Sequence, residues 1–240
     1  MKNLIVGQSG GPTAVINSSL YGVIREGFNR SEEIEHVYGM INGIQGFLDG
    51  RFMDMKELDN DTLEALRTTP GAYLGSCRFK LPDDLNDAIY PLLFQKFEEM
   101  NIGYFFYIGG NDSMDTVSKL SRYAAAHNID VRIMGIPKTI DNDLSCTDWT
   151  FGFDTASNIA MEEIDRLHTT AESHERCFVV ECMGRHTGWI ALQAGLAANA
   201  HLVLIPEFPK SYDEIISVVR RRYLRGDRYT IIVVAEGFEL

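Results

Sequence analysis

The chain has 240 residues, with 22 Lys and Arg against 34 Asp and Glu, a formal net charge of −12 and an isoelectric point near 4.9. So acidic a surface excludes non-specific binding of nucleic acid or anionic membrane, and any phosphate site must be a local concentration of positive charge. The length suits one large or two modest domains with true cores. Cys77, Cys146, Cys177 and Cys182 form no CxxC pair and no metal-like cluster with histidine, as expected of buried or free thiols in a reducing compartment. Residues 1–6 are too short an apolar run for a signal peptide, and no run approaches a membrane span, so a cytoplasmic location is expected.

Residues 4–7 form a short apolar strand that opens into Gln8–Ser9–Gly10–Gly11–Pro12–Thr13. The next helix carries Val15, Ile16, Leu20, Val23 and Ile24 on one face, with Pro12 expected in its first turn. Gly10 and Gly11 leave backbone N–H groups available to an anion, although the loop is neither a Walker A sequence nor GxGxxG. A strand at 36–41 and a turn-rich connection at 42–47 precede a short helix at 61–67. A glycine-punctuated loop, 71–80, then carries Arg78 and Lys80, either solvated or reaching toward phosphates. A helix at 85–100 turns Leu85, Ile89, Leu92, Leu93 and Phe97 inward.

Residues 104–143 hold one design twice. The aromatic and β-branched run 104–108 stops at Gly109–Gly110–Asn111–Asp112–Ser113, and a helix with Val117, Leu120, Tyr123 and Ala124 follows. The run 133–136 stops at Pro137–Lys138–Thr139–Ile140–Asp141–Asn142–Asp143. In an open α/β sheet ligands sit where strands end, so the two loops are expected to share one crevice.

Beyond these loops, a helix capped near Asp154 or Thr155 buries Ile159, Ile164 and Leu167. Ser173–His174–Glu175–Arg176 is a polar elbow before a strand at 177–182, which ends in Met183–Gly184–Arg185–His186–Thr187–Gly188. A small-residue helix at 190–200, a strand at 201–205, a helix at 212–225 and a strand at 229–235 ending in Glu236–Gly237 complete the pattern. His174 and His186 have no partner at metal-ligand spacing, and Arg220–Arg222 is a solvated helix face unless a phosphorylated effector uses it. This alternation predicts an α/β fold of doubly wound, mostly parallel sheets with helices on both faces.

Phosphoryl transfer needs backbone donors and a cation for the phosphates, a carboxylate for the acceptor's proton and an arginine for the acceptor. Gly10–Gly11 and Gly109–Gly110 can supply N–H groups, Lys138 positive charge, Asp141 or Asp143 the base, and Arg185 the clamp. The same inventory also fits a phosphosugar or nucleotide binder without chemistry.

Taken in order, SGGP, GSCRF, IGGNDS, PKTIDND, MGR and AEG resemble the phosphofructokinase family from the first strand to the last residue. The resemblance implies a glycolytic enzyme of the cytoplasm that phosphorylates the 1-hydroxyl of fructose 6-phosphate from ATP or pyrophosphate with Mg2+. It implies Asp141 as the general base, with Thr139 and Ile140 touching the substrate and Asp143 ordering charge near the metal. Met183, Gly184 and Arg185 would hold the sugar, Arg185 also steadying the moving phosphoryl group, and Glu236 would bind sugar hydroxyls. Arg176 would reach the 6-phosphate across a subunit interface, which implies a homo-oligomer. Gly11, Gly110 and Arg78 would lie along the donor's phosphates.

Where the family commonly places a magnesium-linked aspartate, this chain has Asn111, a weaker ligand for a hard cation. The expected domains are a donor domain, 1–140, and the start of a sugar-phosphate domain, 141–240, whose C-terminal part the family resemblance implies is missing. ATP-using members tend to have glycine where this chain has Asp112 and Lys138, so pyrophosphate is the expected donor. The alternatives are ATP as donor, or a catalytically silent subunit that binds sugar phosphate or nucleotide.

Overall fold

The computed structural model describes residues 1–240, the side chain of Ala14 excepted. The chain divides into two compact units, Met1–Lys138 and Thr139–Leu240.

The first unit contains β1 (Lys2–Gln8), α1 (Ala14–Asn29), β2 (Ile34–Met40), α2 (Gly43–Leu48), β3 (Phe52–Asp54) and α3 (Asn60–Ala65). After a long loop come α4 (Ile89–Glu99), β4 (Ile102–Gly109), α5 (Asn111–Ala126) and β5 (Arg132–Pro137). The sheet order is β3-β2-β1-β4-β5, parallel throughout except for β3, which runs antiparallel to β2. Side chains alternate across a strand, and here both faces are buried. Ile5, Phe105 and Tyr107 pack with Phe47, Leu93, Phe97, Leu120 and Tyr123 on one side. Leu4, Val6 and Ile108 pack with Ile16, Leu20, Ile24 and Leu63 on the other. The chain first winds outward to β3 and then crosses back to β4, so the carboxyl ends of β1 and β4 form a topological switch point.

The second unit contains α6 (Phe153–Ser173), β6 (Cys177–Cys182), α7 (Trp189–Ala197), β7 (Leu202–Leu204), α8 (Tyr212–Leu224) and β8 (Thr230–Ala235). Its parallel sheet has the order β6-β8-β7. Ile231, Val233 and Ala235 face residues of α6 and α7, while Ile232 and Val234 pack with Ile215 and Val219 of α8. A Cβ on Gly195 would lie 2.7 Å from a Val203 methyl, so the small residues of α7 do permit a close approach to the sheet. Among the described residues no helix is long and apolar enough to cross a membrane.

Several local expectations are corrected. Residues 43–48 are helical, not a turn. Helix α1 begins at Ala14 with Thr13 at its N-cap, so Pro12 precedes the helix. Helix α4 starts at Ile89, because Asp84 and Asp87 accept the backbone N–H groups of Asn86 and Ile89 and hold the preceding residues in turns. Leu92 is 46% exposed; the buried row is Tyr90, Leu93, Phe94 and Phe97, and at 100° per residue Leu92 falls off it. Ile159 is 57% exposed for the same reason, since Phe153, Ser157, Ile164 and Ala171 form the inner row of α6. That helix is capped by Gly152 in the left-handed region rather than by Asp154 or Thr155.

Candidate active site

In the first unit, three loops meet beyond the carboxyl ends of β1, β4 and β5. Gln8 is fully buried and fastens the first of them, donating to Ile16 O and Asn17 Oδ1 and accepting from the Leu74 N–H at 2.9 Å. Gly10 has φ +80°, and a Cβ placed there would lie 3.6 Å from the Gly110 backbone nitrogen. The loops after β1 and β4 are therefore neighbours. Gly109 admits no side chain at all, because a Cβ would meet Ser113 Oγ at 2.1 Å and Ser9 O at 2.6 Å.

Lys138 closes the group. Its backbone N–H donates to Gly109 O at 2.7 Å, as an extension of the β4–β5 pairing. Its side chain is buried and its ammonium donates to Gly11 O at 2.6 Å. Gly11, Gly110 and Lys138 thus lie together. Asn111 and Asp112 occupy the first turn of α5, whose N-terminus carries partial positive charge.

Arg78 is exposed on the long loop and follows a fixed segment: Ser76 Oγ donates to Gly10 O at 2.6 Å, and Ser9 Oγ to Cys77 O at 3.1 Å. Burial pushes the Cys77 thiol up, but N–H groups of Phe79, Gln45 and Ile44 and the Tyr107 hydroxyl outweigh it, leaving the thiol below its ordinary pKa. Two features of this region had no local signature in the sequence. Lys80 pairs with Asp112 at 3.1 Å. Lys119, buried on α5, binds Asp115, Asp83 and the Leu81 carbonyl, and hydrogen bonds to Asp115 and Asp83 raise its pKa well above the usual lysine range.

In the second unit, Glu236 and the loop after β6 form one construction. Glu236 Oε1 accepts the backbone N–H groups of Gly184 at 3.0 Å and Arg185 at 2.6 Å. Gly184 (φ +150°) and Arg185 (φ +55°) curl the loop, and a Cβ on Gly184 would collide with Thr187 O. At the far end of the loop, both carboxylate oxygens of Glu207 accept the Gly188 N–H, at 2.9 and 3.2 Å. Thr187 Oγ1 faces Asp141 O at 2.9 Å and Gly184 O at 3.1 Å, and so links this loop to the one that carries Asp141.

Thr139 is buried and its hydroxyl accepts the Asp141 N–H at 3.1 Å. Asn142 (φ +56°) accepts the Thr150 N–H at 2.9 Å, which shapes the segment around Ile140, Asp141 and Asp143. Met183 and Arg185 are exposed. Arg176 is not brought to this loop within its own unit: it precedes β6, whereas Met183 follows it, so the strand separates them by roughly 20 Å. Thr187 and Glu207 were not singled out from the sequence; a polar residue in MGRHTG and an acid after a strand, at Pro206–Glu207, were the available signals.

Both units are α/β, with sheets that are parallel except for β3, and polar loops gather at the carboxyl ends of their parallel strands. A family model described as Phosphofructokinase matches residues 3–240. The ATP-dependent 6-phosphofructokinase of Mycobacterium tuberculosis is 42% identical over 228 residues, covering 95% of this chain and 63% of that protein. The pyrophosphate-dependent phosphofructokinase of Nitrosospira multiformis superposes with a TM-score of 0.87 at 35% identity, over 99% of this chain and 61% of that one. Its counterpart from Marinobacter aquaeolei gives 0.86 at 36% identity, over 100% and 61%. The chain belongs to the phosphofructokinase family, and it spans 63% of the length of the mycobacterial relative.

Proposed function

We propose that the chain serves phosphoryl transfer from inorganic pyrophosphate to the 1-hydroxyl of D-fructose 6-phosphate, giving fructose 1,6-bisphosphate and phosphate, in either direction. In this reading residues 1–140 handle the donor and residues 141–240 the sugar phosphate, in a cytoplasmic homo-oligomer. The observation that carries the choice of donor is the buried Lys138 ammonium against Gly11 O, with Asp112 opening α5. A carboxylate about 4 Å from a nucleotide phosphate costs up to about 4 kcal/mol at an effective dielectric of 20, less what the Lys80 ion pair offsets, a cost that the shorter pyrophosphate escapes.

Asp141 takes the proton of the 1-hydroxyl, whose oxygen then bonds to the nearer phosphorus of pyrophosphate. The bond from that phosphorus to the bridging oxygen breaks, and the bridging oxygen departs with the leaving phosphate. Lys138 offsets the charge growing there, which stabilises the transition state more than the ground state. Gly11, Gly110 and Arg78 hold the donor. Thr139, Ile140, Met183, Gly184 and Glu236 hold the sugar, Arg185 steadies the moving phosphoryl group, and a neighbouring copy's arginine at position 176 takes the 6-phosphate.

Magnesium fits as a cation carried by the donor. Among the described residues no three His, Cys, Asp or Glu side chains gather to hold a metal, and Asn111 offers only a neutral amide oxygen. Mg2+ would therefore be held chiefly by phosphates and water, with Asn111 at its edge, and would shed phosphate charge.

ATP is the second reading, favoured by the name of the relative at 42% identity. A coupled assay for fructose 1,6-bisphosphate with each donor decides between them. Pyrophosphate is expected to give the higher kcat/KM, and Asp112→Gly to shift the preference toward ATP. A wild type that prefers ATP overturns the donor assignment. No turnover with either donor, with ligand binding retained, would indicate a silent sugar-phosphate or nucleotide-binding subunit.

A further inference from the structure

Lys119 is a buried ammonium for which phosphoryl transfer has no direct use: its side chain is only 9% exposed, in the middle of α5. It stands eight residues beyond Asn111, about 12 Å along the helix, so it does not touch a donor seated at the start of α5. A charge so placed needs compensation, and three acceptors supply it. Asp115 Oδ2, one turn earlier on α5, lies at 2.7 Å. The other two belong to the long loop: Asp83 Oδ1 at 2.7 Å and Leu81 O at 3.0 Å. That loop is also fastened upstream, where Ser76 Oγ donates to Gly10 O and Ser9 Oγ to Cys77 O. Arg78 lies between the two fastenings and is itself exposed.

We propose that Lys119 is a positioning residue for the donor site and acts through Arg78. This rests on the reading of Arg78 as a ligand of the donor's phosphates. Lys119 ties the downstream end of the loop to α5, and the two serine bonds tie its upstream end to the loop after β1. Both supports belong to elements whose ends form the donor site, so the backbone at Arg78 is fixed relative to that site before a donor arrives. An exposed arginine on a loop pinned at both ends gives up less conformational freedom on binding than one on a loop pinned at one end. The donor's affinity gains from that order without any further contact. Hydrogen bonds to Asp115 and Asp83 favour the ammonium form of Lys119, so its hold on the loop does not vary across neutral pH. An apolar side chain would fill the same space but would bind neither Leu81 O nor Asp83, so the charge serves the loop rather than the core.

The test is a double-mutant cycle on the full chain: wild type, Lys119→Met, Arg78→Ala and the double variant, each shown to be folded at the assay temperature. Equilibrium binding of pyrophosphate and of ATP is measured, with kcat and the KM values for donor and fructose 6-phosphate alongside. Lys119→Met is expected to weaken the donor about fivefold, the cost of ordering one long side chain on binding. The KM for fructose 6-phosphate and kcat should change little. Lys119→Arg, which still donates to the loop, should restore most of the donor affinity. In the Arg78→Ala background the Lys119→Met effect should all but disappear, which a general loss of stability would not produce. Asp83→Ala, at a side chain 97% exposed, cuts part of the hold without opening the core. It should cost about half the binding free energy, or about twofold in affinity, and it carries the test if Lys119→Met does not fold. A Lys119→Met loss that persists without Arg78, or that falls as heavily on fructose 6-phosphate as on the donor, makes Lys119 a general support of the first unit and overturns the inference. Unchanged donor affinity in Lys119→Met, or in Asp83→Ala where that variant stands in, does the same. If Arg78→Ala leaves donor binding unchanged, or wild type binds neither donor, the donor-site reading fails instead.

Discussion

The hydroxyl of Thr187 faces the backbone carbonyl of Asp141 across 2.9 Å, so the loop after β6 grips the segment that carries the proposed base. Thr187→Val removes that grip while keeping the side-chain volume. We expect kcat to fall about tenfold or more, because small misplacements of a reacting group are costly. Thr187→Ser should recover most of the loss. Unchanged turnover in the valine variant would reduce the contact to a local loop bond.

If Asp141 takes the hydroxyl proton, Asp141→Ser should lower turnover about 10²–10⁴-fold with sugar-phosphate binding nearly intact. Turnover above about a tenth of wild type removes Asp141 from that role.

Because β6 separates Arg176 from the loop at 183–185, Arg176→Ala is expected to raise the KM for sugar phosphate only in assemblies where it serves a neighbour. Mixing it with Asp141→Ser should then restore part of the activity. Confirmed mixed oligomers that stay inactive would argue against a shared site.

Lys119→Met deprives the Leu81 carbonyl and two aspartates of their common donor. Hydrogen bonds to a charged group contribute about 1.5–3 kcal/mol each where they are well formed, although the exposed aspartates can turn to water. A net loss of about 1–3 kcal/mol is expected in chemical unfolding followed by a probe of the first unit, and Lys119→Arg should recover part of it. No change would show that the 76–83 segment is held by its other contacts.

A pH dependence is expected from His201. Burial lowers its pKa first, and the charges of Arg222 on α8 and His168 on α6 add to this, against Asp227. The Ile231 N–H donates to His201 Nδ1 at 2.9 Å, which also requires a neutral ring, and Tyr229 stacks edge-on beside it. A histidine whose folded pKa is depressed contributes stability above its unfolded value near 6.5 and loses it as pH falls, because the unfolded chain takes the proton first. Unfolding of the second unit should therefore become easier from about pH 7 to below pH 6. His201→Gln should flatten that slope; an unchanged slope would assign it to other groups.

Strand and helix types, the parallel winding and the polar loops at strand ends were legible in the sequence, because apolar periodicity and glycine punctuation act over a few residues. The glycines at 10, 11, 109 and 110 and Lys138 could be picked out for the same reason, each standing at the end of an apolar run. Three-residue β3 escaped notice because so short a strand carries no periodicity, and Leu92 and Ile159 were misplaced because an apolar residue does not report its own helix face.

Only the tertiary structure decided who meets whom. Lys80 reaches Asp112, Lys119 reaches Asp83, Thr187 reaches Asp141, and Glu236 reaches Gly184 and Arg185. Each pair is separated by tens of residues, and its meeting depends on strand order and on how helices seat against the sheet. The sequence by itself determined which loops carry charge; the fold determined which of those charges are cancelled, because Coulomb interactions depend on distances through space that no local pattern encodes.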